Sequence, residues 1–290
     1  MRTFIALAPL TALAALAGCA IIVAPQDGGD ARIHTSWSSG TVEGDGVAMR
    51  DARAITALPA LDVSGALPVE VRVGPAASLV VEADSNLVPL IRTETRGDTL
   101  RIWSDKGLRS KTPLRIIYTT PRLSEVNASG ATRVDVRGLD GAPLDVRRSG
   151  SSEVTLAGRV GNLNARTSGS GLLDAAQLAS NSVDATLSGS SRMRLGPVKG
   201  DVARVELSGS SAFDASGAVR SLSVRASGSA NADLAALTSQ DGDLAASGAG
   251  SIRATVKQSL FARTSGSAGI RVYGQPAQRS ITGERVHLLD

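Results

Sequence analysis

A Ser-Gly pair recurs at a nearly constant interval between Val126 and Tyr273. Its serines are Ser129, Ser149, Ser168, Ser188, Ser208, Ser227, Ser247 and Ser265, followed by Gly130, Gly150, Gly169, Gly189, Gly209, Gly228, Gly248 and Gly266. The intervals are 20, 19, 20, 20, 19, 20 and 18 residues. A fixed period near twenty is the mark of a solenoid, in which each copy is one supersecondary unit stacked on the next. A further pair, Ser216-Gly217, falls out of register.

Alignment on the serine gives the role of each position. Five residues after it stand Val134, Val154, Leu173, Met193, Phe213, Ala232, Ile252 and Ile270. Seven after it stand Val136, Leu156, Ala175, Leu195, Ala215, Leu234, Ala254 and Val272. Between these apolar positions lie Asp135, Thr155, Asp174, Arg194, Asp214, Asp233, Arg253 and Arg271. Apolar, polar, apolar is the two-residue period of a strand with one face inside. Three before the serine, Val126, Val146, Ala165, Ala185, Val205, Val224, Leu244 and Ala262 start the same argument on a second strand. Each copy therefore reads as strand, corner, strand and variable connection.

No single copy buries its own apolar side, but parallel stacking sets equivalent residues ~4.8 Å apart and lines a continuous narrow core. The expected fold class is all-β, a parallel β-solenoid of about twenty-residue coils over residues 126–273. Glycine supplies a corner residue that tolerates positive φ. The corner serines are expected to form a hydroxyl ladder, each donating to its neighbour above or below.

The chain before the repeat divides into three parts. Residues 1–18 read as a secretory signal: Arg2, a short apolar run through Ile5, Leu7, Leu10, Leu13 and Leu16, then small residues. The run closes on Leu16-Ala17-Gly18-Cys19, which resembles the bacterial lipobox. That resemblance implies diacylation of Cys19 and cleavage before it. Cys19 is the only cysteine, so no internal disulfide is open to it. Several acyl chains anchor firmly where one is marginal. Ala20 stands where aspartate would retain a lipoprotein at the inner membrane, so the outer membrane is expected. Residues 19–54 lack a sustained apolar period and read as a flexible tether; His34 and Trp37 lie there, His34 as a solvated side chain. Residues 55–125 read as strands with turns at Gly74-Pro75 and Arg96-Gly97-Asp98, an irregular and partly antiparallel section that caps the open end. Ser64-Gly65 fits the repeat as well, with Val69 and Val71 five and seven residues on. Residues 274–290 form a tail covering the other end.

A family resemblance emerges from this order of segments. Leu61-Asp62-Val63, Val69-Glu70-Val71, Val80-Val81-Glu82-Ala83-Asp84-Ser85-Asn86, Thr99-Leu100-Arg101-Ile102 and Pro121-Arg122-Leu123, followed by Ser-Gly repeats, resemble the putative auto-transporter adhesin, head GIN domain family. The resemblance covers roughly residues 55 to 273. It implies a β-helix-like domain on an exported, often lipid-anchored bacterial protein, and it supplies no catalytic motif.

Composition narrows the function classes. Aromatic residues are 2% of the chain, too few for a thick globular core but compatible with a narrow one of Val, Leu, Ile and Ala. The formal net charge of +4 becomes +3 once Arg2 leaves with the signal. A nucleic-acid surface wants a basic stripe with stacking aromatics, so no nucleic-acid partner is expected. Membrane contact is expected through the lipid anchor alone, and a glycan or envelope protein is the expected partner.

Ser-His-Asp chemistry needs a histidine beside the nucleophile, yet His34 and His287 lie outside the coils. With Cys19 given to lipid, thiol chemistry and cysteine zinc sites drop out. Asp214 and Asp233 fall in adjacent coils, ~5 Å apart by strand spacing, a separation suited to a retaining glycosidase pair. The alternative for that pair is a solvated outward file relieved by Arg194 and Arg253. Ser168-Gly169-Ser170-Gly171-Leu172-Leu173-Asp174 loosely matches a calcium-binding nonapeptide, but the acid file is broken by Thr155, Arg194, Arg253 and Arg271. The expectation is a non-enzymatic envelope lipoprotein with no cofactor or metal, presenting an adhesin-like or ligand-binding surface. The competing reading is a polysaccharide-active enzyme using Asp214 and Asp233.

Overall fold

Inward and outward side chains go on alternating beyond the corners, so each coil stays paired along nearly its whole length. The structure is a computed structural model that describes residues 40–289. Strands Glu153–Thr167, Leu172–Leu187, Arg192–Leu207, Ala212–Ala226, Asn231–Gly248 and Ser251–Gly266 are each about one coil long. Each pairs in parallel with the next. The connection expected to be variable is itself part of the sheet. It carries a register shift, as between Arg194 and Pro197 or between Asp214 and Gly217. A bulge of this kind absorbs the difference between 19- and 20-residue copies without breaking the ladder. Helical structure among the described residues is one 3-10 turn, Val88–Leu90.

The Ser-Gly corners stand in one file. Ser247 and Gly248 are register partners of Ser265 and Gly266. The Ser190 N–H donates to the Gly169 carbonyl at 2.9 Å, and the Ser210 N–H donates to Gly189 at 2.8 Å. All eight corner glycines have φ between +70° and +86°, the left-handed region that costs an L side chain. The stack imposes a second requirement: a Cβ on Gly209 would lie 2.6 Å from the Gly189 carbonyl oxygen. Ser64-Gly65 opens the file, since a Cβ on Gly130 would meet the Gly65 oxygen at 2.5 Å.

Apolar files close the core from every side. The positions five and seven after the serine are buried, as are those three before it. A third set, Val160, Leu178, Val198, Val219, Leu237 and Val256, is buried on the remaining side of the coil. It lies nine to eleven residues after the serine, and that shifting register conceals it in the sequence.

The section before the regular coils completes one coil and covers it. Ala60–Val63 pairs in parallel with Glu125–Ala128, and Pro68–Val73 with Arg133–Gly141. The chain between them leaves the helical path. Arg115–Thr120 adds in parallel to Pro68–Val73, Ser78–Asp84 adds antiparallel to Arg115–Thr120, and Ala48–Arg53 adds antiparallel to Ser78–Asp84. Leu87, Val88, Ile91 and Tyr118 are buried there, and the Tyr118 hydroxyl donates to the Leu58 carbonyl at 2.6 Å.

The expected tether, residues 19–54, is corrected at its C-terminal end. Val42–Glu43 and Ala48–Arg53 are strands of the folded unit, which begins at Thr41. Two side chains hold this segment down. Arg53 donates to the Ile91 carbonyl at 2.7 Å and to the Val88 carbonyl at 3.1 Å. Asp84, fully buried, accepts from the Gly46 N–H at 3.0 Å, the Ser110 hydroxyl at 2.7 Å and the Lys111 N–H at 2.6 Å. The signal segment, Cys19, His34 and Trp37 lie outside the described residues. At the other end, Gln278–Thr282 and Val286–Leu289 continue the winding on Ser251–Gly266 and Gly269–Tyr273.

Candidate functional site

The residue two before each corner serine points outward, because the pleat alternates and the residue between them is turned in. Register pairing places Asn127, Arg147, Arg166, Thr186, Glu206, Arg225, Ala245, Arg263 and Thr282 in one file. With the corner serines opposite, this file bounds a groove along the solenoid axis. One segment, about 650 Å³, runs from Thr186 to Thr282 with Glu206, Arg225 and Arg263 on its wall and Leu187, Leu207 and Ala246 beneath. The other, about 440 Å³, runs from Asn127 to Thr186 with Arg147 and Arg166 on its wall. They meet at Thr186. Eight coil steps give the groove a length of ~38 Å.

The serine side of the groove differs from the hydroxyl ladder expected. The Ser208 and Ser227 hydroxyls reach the Leu187 and Leu207 carbonyls of the preceding coil at 3.3 and 3.2 Å. Ser129, Ser188 and Ser247 make the same contact at 3.5 Å, at the limit of a hydrogen bond. The carbonyls of Val63, Thr167, Leu187 and Leu207 already accept the serine's own N–H at 2.9 Å. The backbone thus takes the hydroxyl proton, and the hydroxyl lone pairs stay available to a ligand in the groove.

Charge along the groove is arranged in two stripes. The file beside the serines carries four arginines and one glutamate. The next outward file on the same strands runs Glu125, Asp145, Asn164, Asp184, Arg204, Ser223, Asp243 and Phe261. Arg147 pairs with Glu125, and Arg225 lies 3.8 Å from Asp243 and 4.0 Å from Glu206. Arg263 instead stacks over the Phe261 ring at 4.6 Å. Such exposed pairs contribute little to stability, but they hold the arginine heads along the groove wall.

Asp214 and Asp233 are brought together as expected. They are register partners in adjacent coils, on a different face from the groove. Burial raises the Asp214 pKa, the neighbouring Asp233 raises it further, and Arg194 and Arg192 act against both. Arg253 holds Asp233 at 3.3 Å. The depression around them is lined by Leu195, Ala215, Ser216, Ala235 and Ala236, with Arg194. None of these is an aromatic platform for a sugar ring. Among the described residues no group of three or more His, Cys, Asp or Glu side chains converges as a metal site.

The groove-wall arginines did not enter the expectations drawn from sequence, although their constant offset from the serine is plain once the repeat is aligned. With this geometry in view, the family can be assigned. The description "putative auto-transporter adhesin, head GIN domain" matches residues 58–200 and 192–276. The chain belongs to this family. No curated protein matches it. Among solved structures it is similar to a putative adhesin from Parabacteroides merdae, at 17% identity and TM-score 0.63, over 86% of this chain and 99% of that one. It is similar also to a putative lipid binding protein from Parabacteroides distasonis, at 20% identity and TM-score 0.65, over 87% of this chain and 100% of that one. A putative adhesin from the same organism gives 18% identity and TM-score 0.65, over 86% and 99%. At these identities the likeness is one of fold.

Proposed function

We propose that this GIN-domain protein is a non-enzymatic cell-envelope lipoprotein, anchored in the outer membrane through acylated Cys19, whose corner groove receives an extended glycan or envelope protein. The observation that carries the reading is the continuity of the groove. Two segments of about 650 and 440 Å³ meet end to end along the coil axis. They repeat the corner serine at each coil, ~4.8 Å apart, and Arg147, Arg166, Arg225 and Arg263 add donors at four of the coils. A periodic groove suits a periodic or extended ligand more than a compact one. The adhesin-related family and the lipobox at Cys19 point the same way, toward a surface displayed from the envelope.

The test is a binding screen of the full chain against glycans, envelope proteins and lipid vesicles, repeated with Ala245→Trp. Ala245 faces the groove between Arg225 and Arg263, so an indole there fills the channel and leaves the core alone. Binding that falls at least tenfold in this variant supports the groove. Binding that persists unchanged, or capture by lipid vesicles alone, would refute it.

A further inference from the structure

Phe261 interrupts a polar file. Its register partners are Asp243 and Ser280, yet it leaves 38% of itself exposed, the one aromatic among the exposed large apolar residues described. Arg263 covers one face of the ring, 4.6 Å from its centre. The opposite face is therefore turned toward Ser259, two residues back on the same strand and on the same side of the pleat. A depression of about 410 Å³ opens there, lined by Phe261 with Ser221, Asp241, Ser259 and Gln278. The ridge of Phe261 and Arg263 divides it from the corner groove, with which it shares no residue.

The polar lining is itself a file: Ser221, Asp241, Ser259 and Gln278 stand in successive coils, ~4.8 Å apart. Their side chains make no hydrogen bond or ion pair among the described residues, whereas the neighbouring Asp243 lies 3.8 Å from Arg225. Asp241 is thus a half-buried, unpaired carboxylate that accepts from two hydroxyls at once, and the Gln278 amide both donates and accepts. A concave site of this size with a few convergent polar groups suits a small ligand. A flat apolar face set against acceptors and donors matches a sugar ring, whose C–H face packs on the electron-rich face of the aromatic while its hydroxyls meet the polar file. An organic cation fits less well. Arg263 already occupies the other face of the ring and Arg279 also lines the depression, so a further positive charge would meet two of its own sign.

We infer that this depression is a subsite for one neutral hexopyranose ring, stacked on Phe261 and held through its hydroxyls by Asp241 and Gln278. The site lies beside the groove and does not rest on what the groove binds.

The probes are the methyl glycosides of glucose, galactose, mannose and N-acetylglucosamine, added to the full chain at millimolar concentration and read by saturation-transfer difference NMR. At least one is expected to bind, with the strongest transfer to its ring C–H protons. Phe261→Ser and Asp241→Ser, each introducing a residue already present in its own file, should weaken that binding at least tenfold while the melting temperature holds. Phe261→Ser also releases Arg263 on the groove wall; Asp241→Ser does not, and so isolates the depression. Ala245→Trp, which fills the groove, should leave glycoside affinity unchanged, so failure of the groove and failure of this site read differently. Binding by none of the glycosides, binding unaltered in either serine variant, loss of binding in Ala245→Trp, or tighter binding of tetramethylammonium than of any glycoside would overturn the site.

Discussion

A methyl group added at one corner glycine should cost far more than the same methyl at an ordinary turn with the same backbone angle. Gly209 has φ +74° and Gly97 has φ +62°, so alanine at either meets the left-handed penalty, ~1–2 kcal/mol. Around Gly97 nothing lies within 4 Å of the new Cβ, whereas at Gly209 it falls 2.6 Å from the Gly189 oxygen and 3.2 Å from its nitrogen. Relief requires the coils to part there, which loosens the Ser208-to-Leu187 and Ser210-to-Gly189 backbone bonds, 2.9 and 2.8 Å. At about 1 kcal/mol net for each bond, Gly209→Ala should destabilise by ~3–4 kcal/mol and Gly97→Ala by ~1–2 kcal/mol. Urea unfolding followed by far-ultraviolet circular dichroism reads both, with the denaturant slopes compared so that a loss of cooperativity is not mistaken for lost stability. Equal destabilisation of the two variants would refute the claim that the corners touch.

Two carboxylates give opposite pH signatures. At Asp84 burial raises the pKa, but the hydrogen bonds from Ser110, Lys111 and Thr112 outweigh it, and the net value lies below 3.8. Its contribution is therefore present above the unfolded value and lost as pH falls through the folded one. Urea midpoints between pH 2 and 5 should drop less steeply in Asp84→Asn than in the parent, the variant being the weaker of the two at pH 7; parallel profiles would count against the anchoring role. Asp214 is shifted upward by burial and by Asp233, so its ionisation opposes folding and stability is lost as pH rises through the folded pKa. Asp214→Asn should be at least as stable as the parent at neutral pH, and joint replacement of Asp214 and Asp233 by Asn should leave glycan turnover at background. Turnover that the double replacement abolishes would reinstate the enzymatic reading.

The phase of the repeat was legible because Ser-Gly is rigidly placed relative to the strands on either side. Positions such as Phe213 and Val224 could be assigned inward from spacing alone, and they are buried. Val160, Leu178 and Val256 were not, since a bulge lets their offset from the serine drift by up to two residues. Ala48–Arg53 escaped because its own sequence carries no apolar alternation, with outward residues at its first three positions. It is a strand because Ser78–Asp84 presents a free edge, a tertiary cause that local pattern does not record. In place of the hydroxyl ladder, Ser208 and Ser227 reach the carbonyl one residue before the neighbouring serine, at 3.3 and 3.2 Å. Arg147, Arg166, Arg225 and Arg263 were legible in principle, sharing one offset in the alignment.

Distances between outward positions test the stacking itself. Spin labels on cysteines replacing Asn127 and, in turn, Thr186, Arg225 or Thr282, with Cys19 changed to Ser, sample three, five and eight coil steps of one file. Stacked coils predict separations rising in proportion, ~14, ~24 and ~38 Å. Separations that do not grow with the number of steps would contradict both the solenoid and the groove along it.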